Sequence, residues 1–392
     1  MPIVSKRSGL DERTALYPAQ LLPHFNDSFV ASFDFFEEYV ARLTLALFRS
    51  TGLETACRHK VTALEAIVHA GLSPDVALAP VSWMLALLAS RKWIEVTIAA
   101  NGDRRYRVAA PMPDLDAEEI LQCQRAHDPH CLPSFEIAAL AAAHYPAVLR
   151  GQVSGEQALF GPEGIIPWVK YFSNANPIYA ISNKVGAIAA ARALPAGEAA
   201  ILEIGGGLGS GADALLSELE SGAQAAQVSA YHFTEISPLF LSRAQRNLSA
   251  RHPQCRLQFS ALDINHAFSV SPATYSLVYG VNVLHVARDL AATLGELRKA
   301  LREDGMLVMA ECVRPFPDTP LHLELIFNLL GSFRDAVLVP GWRPNGGFLT
   351  PEQWTAALTA NGFTDVGIFP DIAAIRDAYP SFIVAAIVAR RA

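Results

Sequence analysis

The sequence predicts a doubly wound α/β domain in its C-terminal half, preceded by a mainly helical region. Two patterns carry that prediction. From Ala199 onward, apolar strand-like runs alternate with helical ones, the signature of a parallel sheet covered by helices on both faces. The first of these runs, Ala200-Ile-Leu-Glu-Ile204, passes straight into Gly205-Gly-Gly-Leu-Gly209 and then a helical stretch from Ala212 to Glu220. A strand, a glycine turn and a helix in that order form the ligand-binding start of such sheets. With 392 residues the chain is too long for one small core. We read it as a helical, winged-helix-like segment 1–110, a helical linker and covering region 111–194, and the α/β domain 195–392.

The N-terminal segment begins with an apolar helix carrying Phe35, Val40, Leu43, Leu45 and Leu47. A second starts at Thr62 with Leu64, Ile67 and Val68, and a third spans Ser73 to Ser90. Trp93-Ile-Glu-Val-Thr-Ile98 alternates as a strand, Asn101-Gly102 signals a hairpin turn, and Arg105 to Val108 returns. Helices followed by a two-stranded wing suggest nucleic-acid binding. The helix before the wing, however, offers no Lys, Arg, Asn or Gln to read base edges. The formal net charge of −7 argues the same way, since phosphate binding needs clustered cations. The helix Val76 to Leu88 is apolar on more than one face, which predicts a partner copy and hence a homodimer.

Half the residues are apolar and 18% are charged, so there is material for packed cores. Met1 to Arg13 carries charges with no apolar stretch after them, so no secretory signal is read. The most membrane-like run, Val76 to Ser90, is shorter than the roughly 18–20 residues a spanning helix needs. Five irregularly spaced cysteines make no disulfide framework. A soluble, cytoplasmic protein is expected. The middle region brings Cys123, His127, His130 and Cys131 near one another in sequence, a spacing that zinc can use. No second cluster completes such a domain, so no metal is assigned.

In the glycine turn, Gly205, Gly207 and Gly209 let the backbone turn tightly and approach a ligand without side-chain obstruction. Glu203, just before the turn, would repel a pyrophosphate but attract an ammonium group, which favours a methyl-donor cofactor. The next strand, Val228 to Phe233, ends at Glu235, which can accept ribose hydroxyls. The following one, Arg256 to Phe259, leads to Asp263, placed for an adenine amino group. Three acids at successive strand ends are far more specific than any one of them.

Tyr231-His-Phe-Thr-Glu-Ile-Ser-Pro238, Leu262-Asp-Ile264, Asn282-Val-Leu-His285 and Phe348-Leu-Thr-Pro-Glu-Gln-Trp354 together resemble the C-methyltransferase domains of polyketide synthases. The resemblance spans roughly Leu194 to Arg390. It implies a class I fold, a seven-stranded Rossmann-like sheet whose last strand, Phe382 to Val388, runs antiparallel. It also implies S-adenosyl-L-methionine as cofactor, with Ile264 and Asn282 beside the acids in its site. The N-terminal pattern resembles instead the dimerisation domain of small-molecule O-methyltransferases. In that family the Val-Leu-His motif is usually followed by Asp-Trp, whereas here Val286-Ala-Arg-Asp289 follows.

Methyl transfer is an in-line displacement, so the acceptor must be made nucleophilic and held opposite the sulfur. His285 follows the fourth strand, Tyr275 to Tyr279, at the end nearest the reacting methyl, and an imidazole suits a general base. The fifth strand, Met306 to Ala310, delivers Glu311. The resemblance implies that His285 and Glu311 form the deprotonating pair, with Glu324 as the alternative partner. An apolar acceptor pocket is expected from among Trp168, Tyr171, Phe172, Tyr179, Phe327, Phe333 and Trp342. Asn174, Asn176 and Asn183 are candidates for the methionine end of the cofactor. The reading is an enzyme that methylates an activated carbon or enol oxygen of a small, polyketide-like acyl substrate, free or carrier-tethered. A phenol or polyketide O-methyltransferase is the alternative. A catalytically silent cofactor-binding regulator is the third reading, against which the presence of both His285 and Glu311 speaks.

Overall fold

The computed structural model describes residues 10–161 and 164–392; most of the N-terminal stretch read for a leader lies outside them. The chain divides into two compact units. Asp27–Tyr171 and Asp318–Arg334 form the first; Phe172–Pro317 and Asp335–Ala392, with residues 10–26, form the second. Neither division falls at 110 or 194. The segments on both sides of 110 share the first unit because they bury one another. Arg42 donates to the Asp116 carbonyl and to Glu119, and Gln124 donates to Ser32.

In the first unit, the helix Ala63–His69 begins at a capping box in which Thr62 and Glu65 satisfy each other's backbone N–H groups. The helix Pro74–Ser90 follows, then strands β1 (Glu95–Ile98) and β2 (Arg104–Arg107), which pair antiparallel. Gly102 takes a positive φ in the hairpin turn that Asn101-Gly102 predicts. The apolar face expected to call for a partner copy is covered by this chain itself. Ala77, Val81, Trp83, Met84, Leu85, Leu87 and Leu88 of that helix are buried, which leaves Leu78 as its exposed large apolar side chain. Among the described residues one helix is long and apolar enough to cross a membrane. It is Pro129–Leu149, rather than the run Val76 to Ser90 singled out above, and its Phe135, Ile137, Ala138, Ala141, Tyr145 and Leu149 are buried.

The second unit is built on seven strands: β3 (Ala199–Glu203), β4 (Val228–Thr234), β5 (Leu257–Ser260), β6 (Tyr275–Val281), β7 (Leu301–Cys312), β8 (Phe363–Phe369) and β9 (Val384–Arg391). Their order is β5-β4-β3-β6-β7-β9-β8. The strands β5, β4, β3, β6 and β7 are mutually parallel, while β9 runs antiparallel between β7 and β8. This is the seven-stranded arrangement expected, with the last strand starting at Val384, two residues later than read. Strand β6 is buried throughout, as a central strand covered on both faces must be. The chain leaves β3 toward β4 on one side and returns to β6 on the other. That reversal opens a crevice at the carboxyl ends of the strands, where open α/β sheets bind ligands.

The helix Pro177–Ala193 packs across β6, β7 and β9. Its approach depends on Gly186, where an added Cβ would lie 2.9 Å from the Ala310 Cβ and 3.0 Å from the Tyr279 hydroxyl. Gly186→Val should therefore lift the helix off the sheet and cost about 1–3 kcal/mol. Thermal or urea unfolding measures this directly; unchanged stability would mean the helix has room to move.

Candidate functional site

Because β3, β4, β5, β6 and β7 are parallel, their carboxyl ends share one edge of the sheet, and Glu203, Glu235, Asp263 and Glu311 sit there or just beyond, whereas Glu324 belongs to the first unit. The glycine turn follows β3, with φ of +57° at Gly205, +58° at Gly207 and +87° at Gly209. Side chains strain that conformation. At Gly205 a Cβ would also lie 2.3 Å from Val283 Cγ2. At Gly207 nothing stands within 4 Å of such an atom, so the turn faces open space.

Glu235 does more than stand at the end of β4. Its Oε2 accepts from the Gly207 backbone N–H at 2.8 Å and its Oε1 from the Ser237 N–H at 2.8 Å. The carboxylate thus fixes the glycine turn to the start of the next helix, and each oxygen keeps a lone pair for a further donor.

Glu203 lies beneath the turn, almost wholly buried. Its Oε2 accepts from the Tyr231 hydroxyl at 2.9 Å. Burial pushes its carboxyl up to about 8; the tyrosine bond and a backbone bond from Ala212 oppose this and the nearby Glu235 charge adds to it. Its Oε1 and the Asn183 Oδ1 lie 3.1 and 3.7 Å from the point where a Gly211 Cβ would stand. That Asn183 oxygen is buried with no hydrogen-bond partner among the described residues. An incompletely compensated carboxyl and an orphaned amide oxygen, close together, are suited to an ammonium group. Asn183 is oriented by Asn174, whose amide donates to the Ser210 carbonyl and to Asp213 at the start of the following helix.

Asp263 follows β5 and is half-buried, accepting from the Asn265 N–H at 2.9 Å and facing His266 Nδ1 at 2.9 Å. Ile264 is buried beside it, its carbonyl accepting from Thr293. Asn282 has a left-handed φ of +52°, and its side-chain oxygen accepts from the Cys312 N–H at 3.0 Å. It ties the ends of β6 and β7 together.

Within that tie lies the most tightly organised group in the unit. His285 Nδ1 stands 2.6 Å from Glu311 Oε2, and the other Glu311 oxygen accepts from the Val283 N–H at 3.1 Å and the Leu284 N–H at 2.7 Å. Glu311 is fully buried and His285 nearly so. The carboxylate can only accept, so Nδ1 carries the proton and Nε2 is the basic nitrogen. The Phe348 ring lies 4.7 Å from the imidazole, centroid to centroid. Glu324, the alternative partner, accepts instead from the backbone N–H of Leu321 in its own segment.

The pocket candidates divide between the units. Trp168, Tyr171, Phe327 and Phe333 belong to the first, where Trp168 meets Tyr171 edge-on and Phe327 at a tilt. Phe172, Tyr179 and Trp342 belong to the second, and there Phe172 and Tyr179 meet edge-on. Burial raises the Tyr179 phenol against a bond to Ser210, and the charges of Glu203 and Glu311 reach it. Asn176 is buried at the start of the helix Pro177–Ala193. Among the described residues Cys123, His127, His130 and Cys131 assemble no metal-ligand group. His127 faces the Ser28 carbonyl and His130 faces Asp128. Three contributors were given no role from the sequence: Tyr231 as donor to Glu203 and Phe348 against His285, which open two of the motifs quoted above, and Arg343, whose guanidinium donates to the His285 and Ala287 carbonyls and which carried no signal at all.

Residues 202–307 match the family model of a methyltransferase domain. Over 240 residues the chain is 27% identical to 3-methylorcinaldehyde synthase of Sarocladium schorii, covering 57% of this chain and 8% of that protein. Over 243 residues it is 32% identical to polyketide synthase ThaQ of Burkholderia thailandensis, covering 58% and 11%. The chain thus spans about a tenth of the length of these relatives. Among solved structures, the CurJ carbon methyltransferase aligns with a TM-score of 0.74 at 22% identity over 91% of each chain. The DszA carbon methyltransferase aligns at 0.69 and 23% identity, over 98% of this chain and 94% of that one. At these identities the likeness is one of fold.

The raised Glu203 carboxyl has a consequence for stability. From its ordinary value of 4.5 up to about 8, the folded chain holds a proton that the unfolded chain has lost. Stability should therefore fall as pH rises through that window and level off above it. Calorimetric melting across the window should show the wild type losing stability relative to Glu203→Gln, which has no proton to lose. Parallel curves for the two proteins would contradict this.

Proposed function

We propose that this chain, a class I methyltransferase that uses S-adenosylmethionine, methylates the activated carbon of a polyketide-like acyl thioester, with His285 as general base. One observation carries the proposal: a buried imidazole held at 2.6 Å by a buried carboxylate, at the carboxyl edge of the sheet that carries the glycine turn. One relative named above is a polyketide synthase and the aligned structures are carbon methyltransferases, which supports a carbon acceptor.

S-adenosylmethionine supplies an electrophilic methyl group on a sulfonium sulfur. The residues present fit it. Glu203 and the orphaned Asn183 oxygen would receive its ammonium group, Gly207 leaves open space beside the turn for its chain, and Glu235 has lone pairs left for the ribose hydroxyls. Asp263 would take the adenine amino group, with Ile264 beside it. Asn282, its side-chain oxygen tied to Cys312, stays assigned to the cofactor site.

A carbon flanked by two carbonyls becomes nucleophilic only on losing a proton, and His285 Nε2 takes it. Glu311 keeps Nδ1 protonated and stabilises the imidazolium formed, as the acid does in a hydrolase triad. Burial of both groups keeps water from competing for the proton. Within the sheet unit, Phe172, Tyr179 and Trp342 are the aromatics we assign to the apolar acyl chain.

Labelled cofactor and a β-ketoacyl thioester of N-acetylcysteamine, followed by mass spectrometry, should give a product methylated at the carbon between the carbonyls. A methyl group on oxygen would favour the alternative acceptor. Gly207→Val and Glu235→Ala should each weaken S-adenosylhomocysteine binding in calorimetry, and wild-type affinity in both would displace the site.

His285→Ala should lower turnover by about 10²–10⁴-fold with cofactor affinity retained. Glu311→Gln should fold yet lose much of the rate: its amide would donate to Nδ1, move the proton to Nε2 and remove the base. A histidine variant that turns over normally would mean that the acceptor arrives already ionised.

A further inference from the structure

We infer that Arg343 is the positioning residue of the base: it holds the turn carrying His285 from the side opposite Glu311. The inference rests on His285 acting as base and names what keeps it in place.

The base sits on a single tight turn, Leu284–Val286, too short to fix itself through its own hydrogen bonds. Its amide side is held by Glu311, which accepts from the Val283 and Leu284 N–H groups. Its carbonyl side is held by Arg343. The Nη2 atom donates to the His285 carbonyl at 3.0 Å, and Nη1 to the Ala287 carbonyl at 2.6 Å and the Arg288 carbonyl at 3.3 Å. An anion thus meets the amides and a cation the carbonyls, each matching the sign of the peptide dipoles it faces.

Arg343 is among the largest fully buried side chains, at 1% exposure, and no carboxylate lies within ion-pair distance of it among the described residues. Its Nε has no hydrogen-bond partner there either. A buried cation is costly and is not a general device for stability; the Asp289 charge offsets part of that cost without forming an ion pair with it. The rest of its compensation comes from the carbonyls of the turn that bears the base. Its own loop is built to deliver it. Pro340 and Gly341 form a turn in which Trp342 N–H donates to the Val339 carbonyl, and Val339 and Arg343 exchange both backbone hydrogen bonds. The rigid fork reaches the His285 and Ala287 carbonyls from two separate nitrogens, whereas a lysine's three donors share one nitrogen on a flexible stem.

The test is a double-mutant cycle on the full chain, with the β-ketoacyl thioester as acceptor. Arg343→Ala should lower kcat by about 10²-fold, the cost of a base displaced by roughly 1 Å, with cofactor affinity unchanged. In the His285→Ala background the same change should cost little further, since it acts through the imidazole. Millimolar guanidinium ion should restore part of the rate to Arg343→Ala and none to His285→Ala. Should Arg343→Ala fail to fold, Arg343→Lys keeps a cation and a donor in place and should show the same kcat loss with cofactor affinity retained. Losses at Arg343 that multiply with those at His285, or an Arg343→Lys variant with wild-type kcat, would overturn the inference while leaving the base intact. A fully active His285→Ala would overturn the base itself, and this inference with it.

Discussion

A carboxylate taken wholly out of water must be met by donors, and the arrangement of the sheet's carboxyl edge follows from how Glu311 is met. It ends near the close of β7, fully buried, and accepts from two backbone amides and one imidazole. Those donors all lie in the segment after β6, so satisfying one charge fixes the path of a neighbouring loop. The left-handed Asn282 starts that loop and ties itself back to Cys312. The position of the histidine is therefore a by-product of solvating an acid inside protein.

Two further buried acids, Glu235 and Glu203, are handled in contrasting ways. Glu235 is satisfied by two backbone amides, and the glycine turn is held in shape before any ligand arrives. Glu203 has the Tyr231 hydroxyl and burial that raises its carboxyl. One acid organises the site while the other is left short of compensation, and a cation is what such a group lacks. Preorganisation and electrostatic demand are thus assigned to different residues within one edge of the sheet.

Much of this was legible in the sequence because strand ends recur with a pattern. The glycine turn, the acids at Glu203, Glu235 and Asp263, and the pair His285 and Glu311 all sit where an apolar run stops, and the sheet brings those stops to one edge. What was not legible reaches across the chain with no local signature. Arg343 lies in a Pro- and Gly-rich loop and meets the base turn 58 positions earlier. Residues 318–334 read as a continuation of the α/β region, yet they belong to the helical unit. The helix Pro74–Ser90 read as apolar on several faces, which periodicity alone cannot distinguish from a helix buried by its own chain.

The helix Pro177–Ala193 bears on where the sheet unit can be cut. It lies before the first strand of the sheet, at a point where a reading by homology to nucleotide folds would trim it away. Yet it covers β6, β7 and β9 at a distance only Gly186 permits, and its first turns carry Tyr179 and Asn183. A fragment beginning at β3 would uncover the face of the central strands and discard the amide that stands beside Glu203. The sheet unit therefore starts upstream of its first strand: the helix is part of its floor, and residues 10–26 pack into it as well, Tyr17 and Phe25 against Tyr379 and Phe382.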